Sequence, residues 1–76
     1  MKNIYLLKDL AVSTGYSTHT LKYYLGIGLL EEIGRSPSTH FRYFDDKSVT
    51  HLKKIRVMRS QGLSLKEIKI RLKKQL

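Results

Sequence analysis

Four helices interrupted by a two-stranded hairpin, a mainly α fold, are what this 76-residue chain predicts. Three observations carry that reading. An apolar residue, a capping side chain and a second apolar anchor recur in the same spacing three times, at Tyr16-Ser17-Leu21, Phe44-Asp45-Val49 and Leu63-Ser64-Ile68. Gly15 closes an earlier apolar run just before the first of them. Between residues 29 and 44 the helical period is lost in a segment that holds Gly34 and the only proline, Pro37.

Taken in order, Leu7, Leu10 and Ala11 recur at helical spacing and define helix 1, for which Leu6 is a poor cap. Helix 2 begins at Thr18 behind Ser17 and fades around Gly26 to Gly28; Gly26 inside the last turn costs about 1 kcal/mol relative to Ala. Two short strands, at about 30–33 and 41–43, flank a polar loop around RSPST, the second drawn from the β-forming run HFRYF. Helix 3 spans about 45–62 from its Asp45 cap. Helix 4 spans about 64–75, opened by the reciprocal capping signal Ser64-x-x-Glu67. Its apolar stripe is Leu65, Ile68, Leu72 and Leu76, with Lys66, Lys69, Arg71, Lys73 and Lys74 elsewhere around it. Ile70 on helix 4 and Val57 on helix 3 lie off the apolar sides and read as isolated exposed residues, or as residues covered by another chain or a missing segment. Helix, tight turn, helix, hairpin, helix, helix is the order of a winged helix-turn-helix. The helix-turn-helix covers about 6–28 and the wing about 29–44, all in one domain, 1–76.

Composition bounds what such a domain does. A chain of this size buries only about 60% of the surface that it exposes when unfolded, so a large enclosed active site is not expected. It has no cysteine, which excludes disulfides and thiolate metal sites. No apolar run approaches the ~18 residues of a membrane span, and Lys2 precedes only the short run IYLL, so a cytoplasmic, nucleoid-associated protein with no membrane partner is expected. Fifteen Lys and Arg against six Asp and Glu leave a formal charge of +9, which favours a polyanion, nucleic acid first. Ten of the basic residues and three of the acidic ones fall in residues 45–76. That half is either a pair of helices with Lys-rich solvated faces or a phosphate-gripping surface.

The stretch THTLKYY, residues 18–24, divides by face. At ~100° per residue Leu21, Tyr24, Leu25 and Gly28 share one side, toward a core, while His19, Lys22 and Tyr23 share the other. A hydrogen-bonding ring, a cation and a phenol face outward. Thr18 and the free amides at the helix N-terminus add donors suited to phosphate oxygens. The outward residues are either solvated surface or groove contacts.

The run GYSTHTLKYYLGIGLL resembles the G-V-S-x-x-T-L-R-Y-Y-x-x-I-G-L-L signature of the MerR family of transcriptional regulators. HFRYF followed by Asp45 and Asp46 is similar to that family's G-Y-R-x-Y wing ending and helix cap, and QGLSLKEIK resembles its G-F-S-L-E-E-I-K. The likeness covers about residues 7–72. It implies a DNA-binding domain whose second helix, 18–27 here, reads the major groove while the wing, 34–42, touches flanking backbone or minor groove. It also implies two protomers that distort a promoter for RNA polymerase. By position, Thr18, His19, Lys22 and Tyr23 are the recognition-helix contacts and Arg35 and Arg42 the wing contacts; Ser17, His40 and Lys53 complete the candidate set. Tyr24 and Tyr43 are packing residues with a polar tip.

His19 and Lys22 stand where the family commonly has Arg, and Lys offers a point charge in place of a bidentate fork. Leu25-Gly26 replaces an acidic pair, and His40-Phe41 replaces Gly-Tyr ahead of Arg42. Family regulators continue into a coiled-coil helix and an effector domain, and homodimerisation is expected only where such a C-terminal segment is present. The 76 residues are therefore either the DNA-binding part of a longer regulator or a short architectural, excisionase-like DNA binder without a sensor. A third reading is an interaction module whose basic helices bind an acidic protein or anionic lipid. No cofactor is expected, since His19, His40 and His51 lack metal-ligand spacing. Nor is an enzyme: Asp45-Asp46 is explained by a helix cap and Glu31-Glu32 by a strand end, with no nucleophile elbow or phosphate loop.

Overall fold

Helix starts in this chain are set by side chains that meet otherwise unpaired amides. The computed structural model describes residues 3–74, as β1 (Ile4–Leu6), α1 (Leu7–Thr14), α2 (Thr18–Gly26), β2 (Gly34–Arg35), β3 (Arg42–Asp45), α3 (Asp46–Ser60) and α4 (Leu65–Lys74). Ser17 Oγ accepts from the Thr20 amide at 3.1 Å and caps α2. Asp45 Oδ1 accepts from the amides of Lys47 and Ser48 and caps α3. Ser64 and Glu67 cap α4 reciprocally: the Glu67 amide donates to Ser64 Oγ at 3.1 Å and the Ser64 amide to Glu67 Oε1 at 3.4 Å. Leu6 has no oxygen to cap α1, and the Asp9 carboxylate compensates by accepting from the Leu6 amide at 3.2 Å.

Three antiparallel strands lie in the order β1-β3-β2. β1 was not expected from local pattern: residues 4–6 pair with β3, Leu6 opposite Tyr43 and Ile4 opposite Asp45, about forty residues away. The first wing strand, expected at 30–33, lies instead at Gly34–Arg35. The cause is the way α2 ends. Gly28 takes φ 78°, the Gly28 amide donates to the Leu25 carbonyl, and the amides of Leu29 and Leu30 both donate to the Tyr24 carbonyl. Those amides are then unavailable to a ladder, and Leu29 and Leu30 are buried as an irregular segment. Gly28 itself is exposed rather than on the core side of α2. The second wing strand runs past the expected 41–43 to Asp45 because β1 pairs along its other edge.

Every helix contributes to one core. Leu10 of α1, Leu21 of α2, Leu52 and Ile55 of α3 and Ile68 of α4 are completely buried around Phe44 of β3. The other members of the three apolar pairs pack there too: Tyr16, Val49 and Leu63 are partly buried against it. On α4, Leu65, Ile68 and Leu72 form the inward stripe; Leu76 and the end of helix 4 at residue 75 lie outside the described residues. Ile70 and Val57 are exposed. Among the described residues no helix is long and apolar enough to cross a membrane.

At Gly34, opposite Tyr43 in the ladder, a Cβ would collide with the Tyr43 hydroxyl and ring, so glycine is what lets that ring lie across the strand. His40 closes the hairpin at φ 60°, a left-handed conformation that a side chain disfavours, at the position where the family motif carries Gly. His40→Gly is expected to raise stability by about 1 kcal/mol, read as a higher midpoint in a thermal or urea melt.

A side-chain tie between residues distant in sequence fastens β1 to α3. The Tyr5 hydroxyl donates to Asp46 Oδ1 at 2.8 Å, which holds the Asp46 carboxyl below its ordinary value of 3.8 and raises the Tyr5 phenol. A carboxyl lowered by folding adds stability above its unfolded range, and that contribution is lost as pH falls through the lower folded value. Tyr5→Phe should return the Asp46 titration toward its ordinary value, observable by NMR of the side-chain carboxyl; an unmoved titration would show that the phenol is not its cause.

Candidate nucleic-acid interface

The outward face of α2 follows from what its inward face buries. Leu21 is completely buried and Tyr24 nearly so, which at helical pitch turns His19, Lys22 and Tyr23 to the outside; all three are exposed, as are Ser17 and Thr18. Tyr24 is edge-on to Tyr16, with ring centroids 5.7 Å apart, and tilted against Tyr23 at 6.3 Å. The inner tyrosine thereby backs the outer one.

α2 is held at both ends by the two later helices. Ahead of its N-terminus the Tyr16 hydroxyl donates to the Leu52 carbonyl of α3 at 3.1 Å, and partial burial raises that phenol's pKa. The Arg56 guanidinium of α3 lies 4.5 Å over the Tyr16 ring while its Nη2 donates to the Thr14 carbonyl at 2.9 Å, fastening the turn between α1 and α2. Beyond the C-terminus, Lys69 Nζ of α4 donates to the Ile27 carbonyl at 2.8 Å. A cation there also complements the negative end of the helix dipole. His51 Nε2 of α3 lies 2.8 Å from the Leu29 carbonyl. Since a carbonyl only accepts, Nε2 carries the proton.

On the wing, Arg35 of β2 and Arg42 of β3 are direct cross-strand partners. Glu32 lies against both: Arg35 Nε donates to Oε1 at 3.0 Å, and Arg42 Nε is 2.9 Å from Oε2, an ion pair off the line of its N–H. Lys22, Arg35 and Arg42 line one shallow depression between α2 and the wing, together with Glu31 and Glu32. His19, Tyr23, His40 and Lys53 do not line it; His40 is at the hairpin turn and Lys53 is exposed on α3. Lys47, Lys54 and Lys73 line another cleft of about 420 Å³ over Leu29, Leu30 and Leu72, so the basic second half surrounds the end of α2 as well. Among the described residues there is no group of three or more His, Asp or Glu that could hold a metal.

Three positioning residues were not legible as such. Glu32 read as a strand end, Lys69 as part of a basic half that was either solvated or phosphate-gripping, and His51 only as a histidine without metal-ligand spacing. Only Lys69 had a local signal, its place next to Ile68 on the buried side of α4; the others act on partners set by the fold.

The model of the MerR HTH family regulatory proteins matches residues 5–75. Nodulation protein NolA of Bradyrhizobium elkanii is 39% identical over 61 residues, 80% of this chain and 27% of that protein. NolA of Bradyrhizobium sp. (strain NC92) is 38% identical over the same share of this chain and 25% of its own length. Among solved structures, a MerR family transcriptional regulator from Bacillus cereus superposes with a TM-score of 0.85 at 23% identity, over 92% of this chain and 52% of that one. HiNmlR, a MerR family regulator lacking the sensor domain and crystallised on promoter DNA, superposes at 0.79 with 34% identity, over 88% of this chain and 52% of that one. The fold is the winged helix-turn-helix, and the chain belongs to the MerR HTH family of regulatory proteins. It spans about a quarter of the length of the curated relatives and about half of the solved ones.

The ties on α2 carry a prediction of their own. Lys69→Met keeps the aliphatic stem but removes the donor to Ile27. Amide exchange at residues 25–28 is expected to accelerate several-fold while the amides of Leu52 and Ile55 stay protected. Uniform acceleration across the chain would mean that Lys69 supports the whole fold rather than the end of α2.

Proposed function

We propose that this chain is the DNA-binding domain of a transcriptional regulator that acts in the cytoplasm on the nucleoid, with residues 1–76 working as one unit. α2 enters the major groove, presenting His19, Lys22 and Tyr23 to base edges, with Ser17, Thr18 and the first amides of the helix on phosphate. The wing lies on flanking backbone or minor groove through Arg35 and Arg42, with His40 beside them and Lys53 on backbone farther out. The observation that carries this reading is the outward face of α2: a ring, a cation and a phenol, exposed on a helix whose orientation is fastened at both ends. The basic balance of +9 and the promoter-bound relative of 34% identity support double-stranded DNA as the partner.

Base reading by Lys22 rests on a point charge, which discriminates less than a bidentate guanidinium. Sequence preference at that position is therefore modest. At a promoter, RNA polymerase is the further partner of this reading, and a homodimer forms where a C-terminal coiled-coil segment joins two copies.

Separate substitutions distinguish reading from gripping. His19→Ala and Lys22→Ala are expected to cost ~1 kcal/mol on a preferred duplex, the low end for a base contact, and less on a scrambled one. Arg42→Ala should weaken both alike and flatten the dependence of affinity on salt. Fluorescence anisotropy titrations across a salt series provide the check; equal losses on both duplexes for Lys22→Ala would reassign it to a phosphate.

A further inference from the structure

Arg35 and Arg42 face each other across the wing ladder, a pairing in which two like charges repel. One carboxylate resolves it. Glu32 places Oε1 on Arg35 Nε and Oε2 on Arg42 Nε, so a single negative charge sits between two positive ones. Both contacts are made through Nε, the inner nitrogen of the guanidinium. Each arginine therefore keeps its two Nη groups, the pair that grips phosphate bidentately. The side chains remain accessible, Arg35 at 50% and Arg42 at 39%, while Glu32 beneath them is at 27%. Lys22 of α2 lines the same depression and adds a third cation.

We infer that Glu32 is a positioning residue that organises Arg35 and Arg42, beside Lys22, into one preformed seat for a DNA backbone phosphate at the junction of recognition helix and wing. The inference deepens the proposed function and rests on it. A carboxylate in a DNA-binding surface ordinarily opposes the polyanion, so its removal should strengthen binding. Here the sign reverses: without Glu32 the two arginines repel and lose their fixed Nε contacts, and must be ordered anew when phosphate arrives.

The test is anisotropy titration of the full 76-residue chain, wild type against Glu32→Gln and Glu32→Ala, on a preferred duplex at ~150 mM salt, with thermal melts confirming that each variant folds. Both variants are expected to bind ~3–10-fold more weakly although each gains a unit of net positive charge. In an Arg35→Ala/Arg42→Ala background the same Glu32 substitutions should have no further weakening effect, which a merely structural role would not produce. Variants that bind as tightly as wild type or tighter would overturn the clamp, as would an undiminished loss in the double-alanine background. Should a variant fail to fold, the wild type answers by NMR. A slowly exchanging Nε–H signal from Arg35 that persists on DNA supports the clamp, and its rapid exchange overturns it. Wild-type protein that binds no duplex at all would instead sink the proposed function.

Discussion

The orientation of α2 depends on two contacts that come from outside it, one at each end. Tyr16 reaches into α3 through its hydroxyl and lies under Arg56, and the carbonyl of Ile27 is held by Lys69 of α4. Between these points Leu21 and Tyr24 are sunk in the core, so rotation of the helix about its own axis would expose apolar surface worth several kcal/mol. Translation along the axis would break the end ties. With both motions opposed, the side chains of His19, Lys22 and Tyr23 present a fixed pattern. Base reading needs that constancy, because each discriminating contact depends on hydrogen-bond geometry at a particular base edge.

The same logic explains how so small a domain holds a defined surface. Its completely buried set is short, one or two residues per helix around Phe44, and such a core leaves little surplus stability. Polar side chains therefore complete the joints where apolar packing ends: Asp46 on Tyr5, Arg56 on the turn after α1, His51 on the segment after α2 and Glu32 on the wing. Three of these come from α3. The basic second half of the chain is thus not only a charged exterior, since Arg56 and Lys69 are spent on internal carbonyls while Lys47, Lys54 and Lys73 face a cleft.

Much of this was legible from residue spacing because the deciding interactions are local. Ser17, Asp45 and Ser64 are caps that contact amides two or three residues on, and the division of THTLKYY into two faces needs only helical pitch. What local pattern missed depends on distant partners. β1 is three residues long and acquires strand geometry only by lying against β3. The start of the wing was displaced because the amides of Leu29 and Leu30 turn back to Tyr24, a consequence of Gly28 that apolar content alone did not reveal. His51 and Glu32 act across joints that exist only once the chain has folded. The resemblance to family motifs pointed to the wing arginines as candidates, but it was silent on Glu32, whose two contacts arise only once the wing has folded.

The central claim is that α2 reads sequence rather than merely holding phosphate. Selection of bound duplexes from a randomised pool at ~150 mM salt, followed by comparison of the winning and scrambled duplexes across a salt series, addresses it most directly. The account predicts enrichment of a short motif whose affinity exceeds that of scrambled DNA at every salt concentration. A pool that yields no motif, with affinity for all duplexes collapsing alike as salt rises, would contradict it and leave the domain an electrostatic binder.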